Sequence, residues 1–335
     1  MLASTLRLAW LEQYPTGLHF DEAWMGYNAF LLLKRGVNIY GQHWPLDVNI
    51  LGDYVSAMNA YLLIPFVKLF GLRPFAIRFL PVLASLATLV LGSLAVSKLT
   101  KNSVITGVFA ILFAVSPWNI IMSRASSIVI LDTFFLLIFS CTYYFLWHHL
   151  LEKKGSKSSI IVLLLISTYF FATLSYFTYF TSRLLVIPFG IVITFFAIST
   201  HSLSIKQLFV KHKRLVGVGL LPLLLYLIFP FTLMLKTPFA LGRYAQTTII
   251  ESDLVRAKRF VDIAHAGEVG LPIALTRLLY NKVTSNATIF LKHYLTFLSP
   301  NTLLFQTTPQ KRYLVQNVGV VTAIELIGLI AAVGI

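Results

Sequence analysis

The chain has 335 residues, 57% of them apolar or aromatic and only 12% charged, against roughly 25% charged in an average soluble domain. With 27 Phe, 15 Tyr and a mean hydropathy of +0.80, it is not a disordered chain, a secreted disulfide scaffold or an ordinary cytosolic enzyme. The formal net charge of +15 fits basic loops beside anionic lipid heads in a multi-pass protein of the lipid bilayer. It does not indicate nucleic acid, because no aromatic-basic interleaving accompanies it.

Residues 1 to 14 hold a short apolar stretch interrupted by Arg7 and Glu12, and residues 318 to 335 stop inside an apolar run. The chain is therefore expected to be the front part of something longer. Apolar runs long enough to cross a bilayer fall near 74 to 97, 103 to 121, 128 to 149, 159 to 180, 184 to 200, 215 to 235 and 318 to 335. Residues 54 to 72 are also apolar. Pro65, Lys68 and the short Gly71 to Pro74 connection make an amphipathic helix in the interface the better reading there.

Three short connections are basic: Lys98 and Lys101; Lys153, Lys154 and Lys157; Lys206, Lys211, Lys213 and Arg214. The alternate ones carry Arg124 and Arg183 alone. Excess positive charge marks the cytoplasmic side. By parity, the Arg124 and Arg183 connections, an N-terminal loop from 15 to 73 and a polar loop from 236 to 317 lie on the other side. The predicted organisation is a transmembrane core over 1–235, an outer loop with short helices over 236–317, and the start of another span over 318–335. The fold class is an all-α polytopic membrane protein.

Chemistry-bearing residues gather on the outer side. Asp21 and Glu22 stand where the N-terminal loop begins, and Asp21 has an ordinary alternative as the cap of a helix starting at Glu22. Asp53, followed by Tyr54, could equally be a turn residue. Arg78, Arg124, Asp132 and Arg183 reach the same rim, where charge near a membrane suggests an interfacial pocket. Ser116-Pro117-Trp118-Asn119 with Ser123-Arg124 also reads as a belt aromatic, a helix-ending proline and a snorkelling arginine, and Tyr176 to Arg183 has the same ordinary explanation.

The ordered series Asp21-Glu22-Ala23, Tyr27-Asn28-Ala29, Gly41 to Leu46, Gly52-Asp53-Tyr54, Pro65-Phe66, Phe70-Gly71-Leu72 and Ala76-Ile77-Arg78 resembles the first outer loop of the GT-C membrane glycosyltransferases. The branch it looks like is related to protein O-mannosyltransferases and the lipid A aminoarabinose transferase. Ser116-Pro117-Trp118, Ser123-Arg124, Tyr179 to Arg183, Gly242-Arg243-Tyr244 and His293 to Pro300 are similar to later landmarks of that branch. The resemblance implies a GT-C-type transmembrane helical bundle with interfacial helices in the first outer loop. It also implies transfer of a sugar from a polyprenyl-phosphate donor to a lipid, glycan or protein acceptor on the non-cytoplasmic face of the cell membrane.

On that resemblance Asp21 is the catalytic base, Glu22 orients or tunes it, and Asp53 matches the Gly-Asp-Tyr element. A base acting directly on an acceptor hydroxyl implies inversion. Tyr54 and Arg78 are further substrate-binding candidates, and Arg124, Arg183 and Arg243 are candidates for the phosphate. No cofactor is expected; a divalent ion between His19 and Asp21 is the alternative to an ordinary loop histidine. The chain departs from the pattern where relatives have an acidic residue after Ser-Arg, here Ala125-Ser126-Ser127-Ile128, and where Val55 replaces a common lysine. A transporter or flippase of a lipid-linked substrate is the competing expectation, and a catalytically dead homologue a weaker third.

Overall fold

The computed structural model of the protein describes residues 1–50, 53–151, 157–201, 213–236, 252–305 and 318–333. They are predominantly helical and belong to two compact units, Met1–Thr237 and Pro238–Ile335.

In the first unit, α1 (Leu2–Leu8) and α2 (Phe20–Arg35) precede an antiparallel hairpin of β1 (Asp47–Ile50) and β2 (Asp53–Ser56), with Val48 opposite Val55. Helix α2 stops at Gly36, whose φ of 67° lets its N–H close back on the Leu32 carbonyl; a left-handed residue there favours glycine. The hairpin is an addition to the interfacial helices expected in this loop. Its physical basis is a short alternation of polar and β-branched residues, which suits a pleated ribbon. Helix α3 (Met58–Phe70) has 13 residues, about 20 Å, too little for a hydrocarbon core of about 30 Å. Trp24, Met25, Ala29 and Leu32 of α2 pack with Val48, Ala60, Leu63, Val67 and Ile77 into a core of their own.

Among the described residues, four helices are long and apolar enough to cross a membrane: α4 (Pro74–Thr100), α7 (Ile128–Leu151), α8 (Ser158–Thr178) and α9 (Ser182–Thr200). The expected span over 103 to 121 is instead broken, into α5 (Ser103–Val115) and α6 (Pro117–Arg124), bent by 47°. Pro117 has no N–H to return to the Phe113 carbonyl, so a straight helix would orphan an acceptor. Arg7 fills the gap. Its guanidinium donates to the Phe113 and Ala114 carbonyls at 3.1 and 2.8 Å, and to Ser85 Oγ and Asn119 Oδ1 at 2.7 and 2.8 Å. Arg7 is fully buried, so the charge that seemed to interrupt the N-terminal apolar stretch is what holds the break together.

Helix α10 (Lys213–Lys236) covers the expected 215 to 235 span, and its Leu215–Ile228 stretch is apolar. Phe139, Tyr143, Leu146, Trp147 and Leu150 recur at helical spacing along one stripe of α7. They pack against Ala172 and Tyr176 of α8, Val186 and Ala197 of α9, and Val216, Leu223 and Tyr226 of α10. Gly219 of α10 lies so close to α7 that an added Cβ would stand 2.7 Å from the Trp147 ring.

The two ends of this bundle differ. At one, Lys98 lies 5.0 Å over the Phe145 ring, and His148 Nδ1 is 3.0 Å from His201 Nε2. The starts of α2, α4, α7 and α9 and the end of α8 meet at the other, through the contacts described below.

The second unit contains α11 (Asp253–Glu268), α12 (Ile273–Leu279), α13 (Lys282–Leu298), α14 (Pro300–Phe305) and α15 (Ala323–Val333). Ser252 caps α11 and Asn281 caps α13, each placing a side-chain acceptor on the orphan first-turn N–H groups.

Candidate functional site

The first candidate carboxylate sits at the start of α2, and its surroundings differ from the simple cap. His19 is the cap: its ring accepts from the Asp21 N–H at 3.2 Å, while Glu22 Oε2 accepts from the His19 N–H at 3.0 Å. These bonds satisfy the helix start, so Asp21 is spared the capping role. Its side chain is 49% exposed, 3.7 Å from His19 Nδ1.

Glu22 turns the other way. Its two oxygens accept from Arg78 Nε and Nη2 at 3.0 and 3.1 Å, with the pair 5% and 0% exposed. Arg78 also donates to the Leu11, Pro15 and Gly17 carbonyls at 3.1, 2.9 and 2.5 Å. A guanidinium has five N–H groups, and these contacts engage its full donor capacity. Arg78 therefore clasps the chain before α2 onto the second turn of α4, and with it fixes the backbone that presents Asp21.

Arg124 has a comparable task. Its guanidinium donates to the Leu6, Arg7 and Ala9 carbonyls at 3.1, 3.2 and 2.9 Å and to the Tyr14 carbonyl at 3.0 Å. It closes the C-terminal end of α1, where unpaired carbonyls attract a cation, instead of reaching for the headgroup region.

Arg183 is buried too, not snorkelling. Its Nε donates to the Tyr176 carbonyl at 3.3 Å, and its guanidinium lies 4.8 Å from the Tyr176 ring and 5.5 Å from that of Phe180. One residue before it, the Ser182 hydroxyl donates to Asp132 Oδ2, while Ser175 donates to Asp132 Oδ1 at 2.6 Å. Asp132 thus joins the start of α7 to both sides of the α8–α9 connection. Tyr226 Oη lies 3.4 Å from the Ser182 and Arg183 carbonyls.

A further carboxylate faces this cation. Asp47 opens β1; burial raises its carboxyl above the ordinary range, its own backbone N–H lowers it, and the charge of Arg183 lowers it too. Asp47 carries no motif of its own in the sequence. The signal available was its place between Gly41 to Leu46 and Gly52-Asp53-Tyr54. Ser175 and Ser182 gave no local signal, because both are explained only by Asp132, 43 and 50 residues away.

Asp53 and Tyr54 stand in β2 opposite Ile50 and Asn49. Arg243 lies outside the described residues. His19 and Asp21 offer two ligand types for a metal, and among the described residues no group of three His, Cys, Asp or Glu forms around them or elsewhere.

One end of the first unit therefore brings together a half-exposed carboxylate at Asp21, the Glu22–Arg78 clasp, and a cluster of Asp47, Asp132 and Arg183. Such a rim offers a proton acceptor at one point and a cation for an anionic group at another. Comparison of the chain with protein families, with curated proteins and with solved structures finds no match.

Proposed function

We propose that the chain is a membrane glycosyltransferase of GT-C type, which moves a sugar from a polyprenyl-phosphate donor to an acceptor hydroxyl on the non-cytoplasmic face. What supports the reading most is the division of labour at the start of α2. Glu22 is committed to Arg78 while its neighbour Asp21 is half-exposed on the same rigid turn, as a preorganised base requires.

In this reading Asp21 takes the proton of the acceptor hydroxyl as its oxygen attacks the anomeric carbon. The bond to the phosphate oxygen breaks on the opposite face, giving inversion, and the lipid phosphate leaves with the electron pair. Arg183 is the proposed partner of that phosphate, with Asp47 holding its charge in check until the donor arrives. Arg78 and Arg124 act on the scaffold, and Arg243, Asp53 and Tyr54 remain proposed contacts to substrate.

The test is transfer of labelled sugar from polyprenyl-phosphate donors by the protein in membranes. Asp21→Asn should lower the rate by about 10² to 10⁴, the usual contribution of a general base, with insertion unchanged. A near wild-type rate in that variant removes Asp21 from the mechanism, and carrier movement without product would mean a transporter.

A further inference from the structure

Helix α13 has two opposite faces. Its buried side chains, Ser285 and Ile289, lie four residues apart and turn into the second unit. Val283, Ala287, Phe290, Tyr294 and Leu298, spaced by three or four residues, form the other face, and all five are exposed. Leu291, Leu295 and Phe297 widen it. From Leu291 to Leu298 every residue is exposed, yet the polar ones, Lys292, His293 and Thr296, fall within one arc of about 100° around the helix. The remaining large side chains are apolar or aromatic: Phe290, Leu295 and Phe297 are 58%, 57% and 62% exposed, and the Phe290 and Tyr294 rings stack with centroids 6.1 Å apart. A helical end with no packed side is marginal in water unless its apolar face is covered, and a continuous exposed apolar face marks an interaction surface.

Helix α13 has 17 residues, about 25 Å, and Lys292 and His293 interrupt it, so it does not fit a hydrocarbon core of about 30 Å as a span. The same chain carries four helices apolar enough to cross a membrane, which makes a bilayer the apolar phase at hand. Charge agrees with that phase. Between Glu268 and Glu325 the sequence has no Asp or Glu, whereas Arg277, Lys282, Lys292, Lys311 and Arg312 fall there. A stretch of one sign complements the anionic surface of a membrane. We infer that α13 lies along the bilayer interface, with Val283, Phe290, Tyr294 and Leu298 in the acyl boundary and Lys292, His293 and Thr296 toward headgroups and water. This placement is independent of sugar transfer, and its test does not use that reaction.

The whole protein, with Cys141→Ala removing its single cysteine, is placed in nanodiscs of phosphatidylcholine and phosphatidylglycerol. It carries one nitroxide-labelled cysteine at a time, from Leu291 to Leu298. Collision of the label with oxygen, which concentrates in lipid, and with a water-soluble nickel chelate reports what surrounds each position. Labels at Leu291, Tyr294, Leu295 and Leu298 are expected to favour oxygen and those at Lys292, His293 and Thr296 nickel, with a period of about 3.6 residues. The oxygen-to-nickel ratio should differ several-fold between Tyr294→Cys and Lys292→Cys. Every native side chain in this stretch is exposed, so a label there displaces no packed neighbour. Nickel favoured at every position would place the helix in water and overturn the inference. Low collision with both reagents at Tyr294, Leu295 and Leu298 would mean that protein covers the face, from this chain or a second copy, and overturns it too. So does oxygen favoured all round the helix, which would mean that it is immersed in the acyl region instead of lying at its boundary.

Discussion

The Glu22–Arg78 clasp predicts a large and strongly coupled energetic signature. Both side chains are buried, at 5% and 0% exposure, and Arg78 makes two bonds to Glu22 and one each to the Leu11, Pro15 and Gly17 carbonyls. Arg78→Met leaves the Glu22 carboxylate buried, with the His19 N–H still donating to it. Removing one member of a buried pair costs about 3 to 5 kcal/mol, and Glu22→Leu should cost a similar amount. The double variant leaves no uncompensated charge, so its cost should fall short of the sum by at least about 2 kcal/mol. Arg78→Lys should recover little, since an ammonium cannot offer two parallel donors to one carboxylate. The assay is reversible unfolding by SDS in mixed micelles, followed through tryptophan fluorescence, with Trp24 in α2 as the nearby reporter. Single variants within about 1 kcal/mol of wild type, or costs that simply add, would show that the clasp is not the anchor of the first loop.

Other consequences follow from the same contacts. Arg7→Met should cost about 3 to 5 kcal/mol in that assay, because it strips the Phe113 and Ala114 carbonyls and Asn119 of their buried donor. Ser175→Ala and Ser182→Ala should each cost about 1 to 2 kcal/mol, and together more than their sum, because Asp132 then loses both hydroxyl donors. Gly219→Leu should destabilise by about 1 to 3 kcal/mol through the Trp147 ring, and Trp147→Ala should relieve part of that clash. Asp47 has its carboxyl raised chiefly by burial, so the folded state holds its proton to higher pH than the unfolded one. Its contribution to stability then falls as pH rises just above the ordinary aspartate range. Asp47→Asn should flatten that part of the pH profile, and an unchanged profile would count against a partly buried Asp47.

Hydropathy made the bundle legible. The spans expected at 74 to 97, 128 to 149, 159 to 180 and 184 to 200 coincide within a few residues with α4, α7, α8 and α9, because a helix in lipid must be apolar along its whole length. The span expected over 103 to 121 runs through the break between α5 and α6, although Pro117 also reads as a helix-ending proline. An apolar run continues through the proline, and what stabilises the bend is Arg7, 112 residues from Asn119. The hairpin was missed because four-residue strands carry too little periodicity to compete with neighbouring helices. At the candidate site the arginines, and the carboxylates other than Asp47, could be named one by one. Their pairing could not, since Glu22 and Arg78 meet across 56 residues and nothing local shows that an arginine will bind carbonyls.

The proposed function depends on Asp21 and the rim around Arg183 facing away from the cytoplasm. Single cysteines introduced at Asp21 and at Lys154 in the Cys141→Ala protein, probed in intact cells with a membrane-impermeant maleimide, test this directly. Labelling at position 21 from outside, with position 154 reactive only after permeabilisation, is the expected result. Both positions reacting in the same compartment would contradict the account.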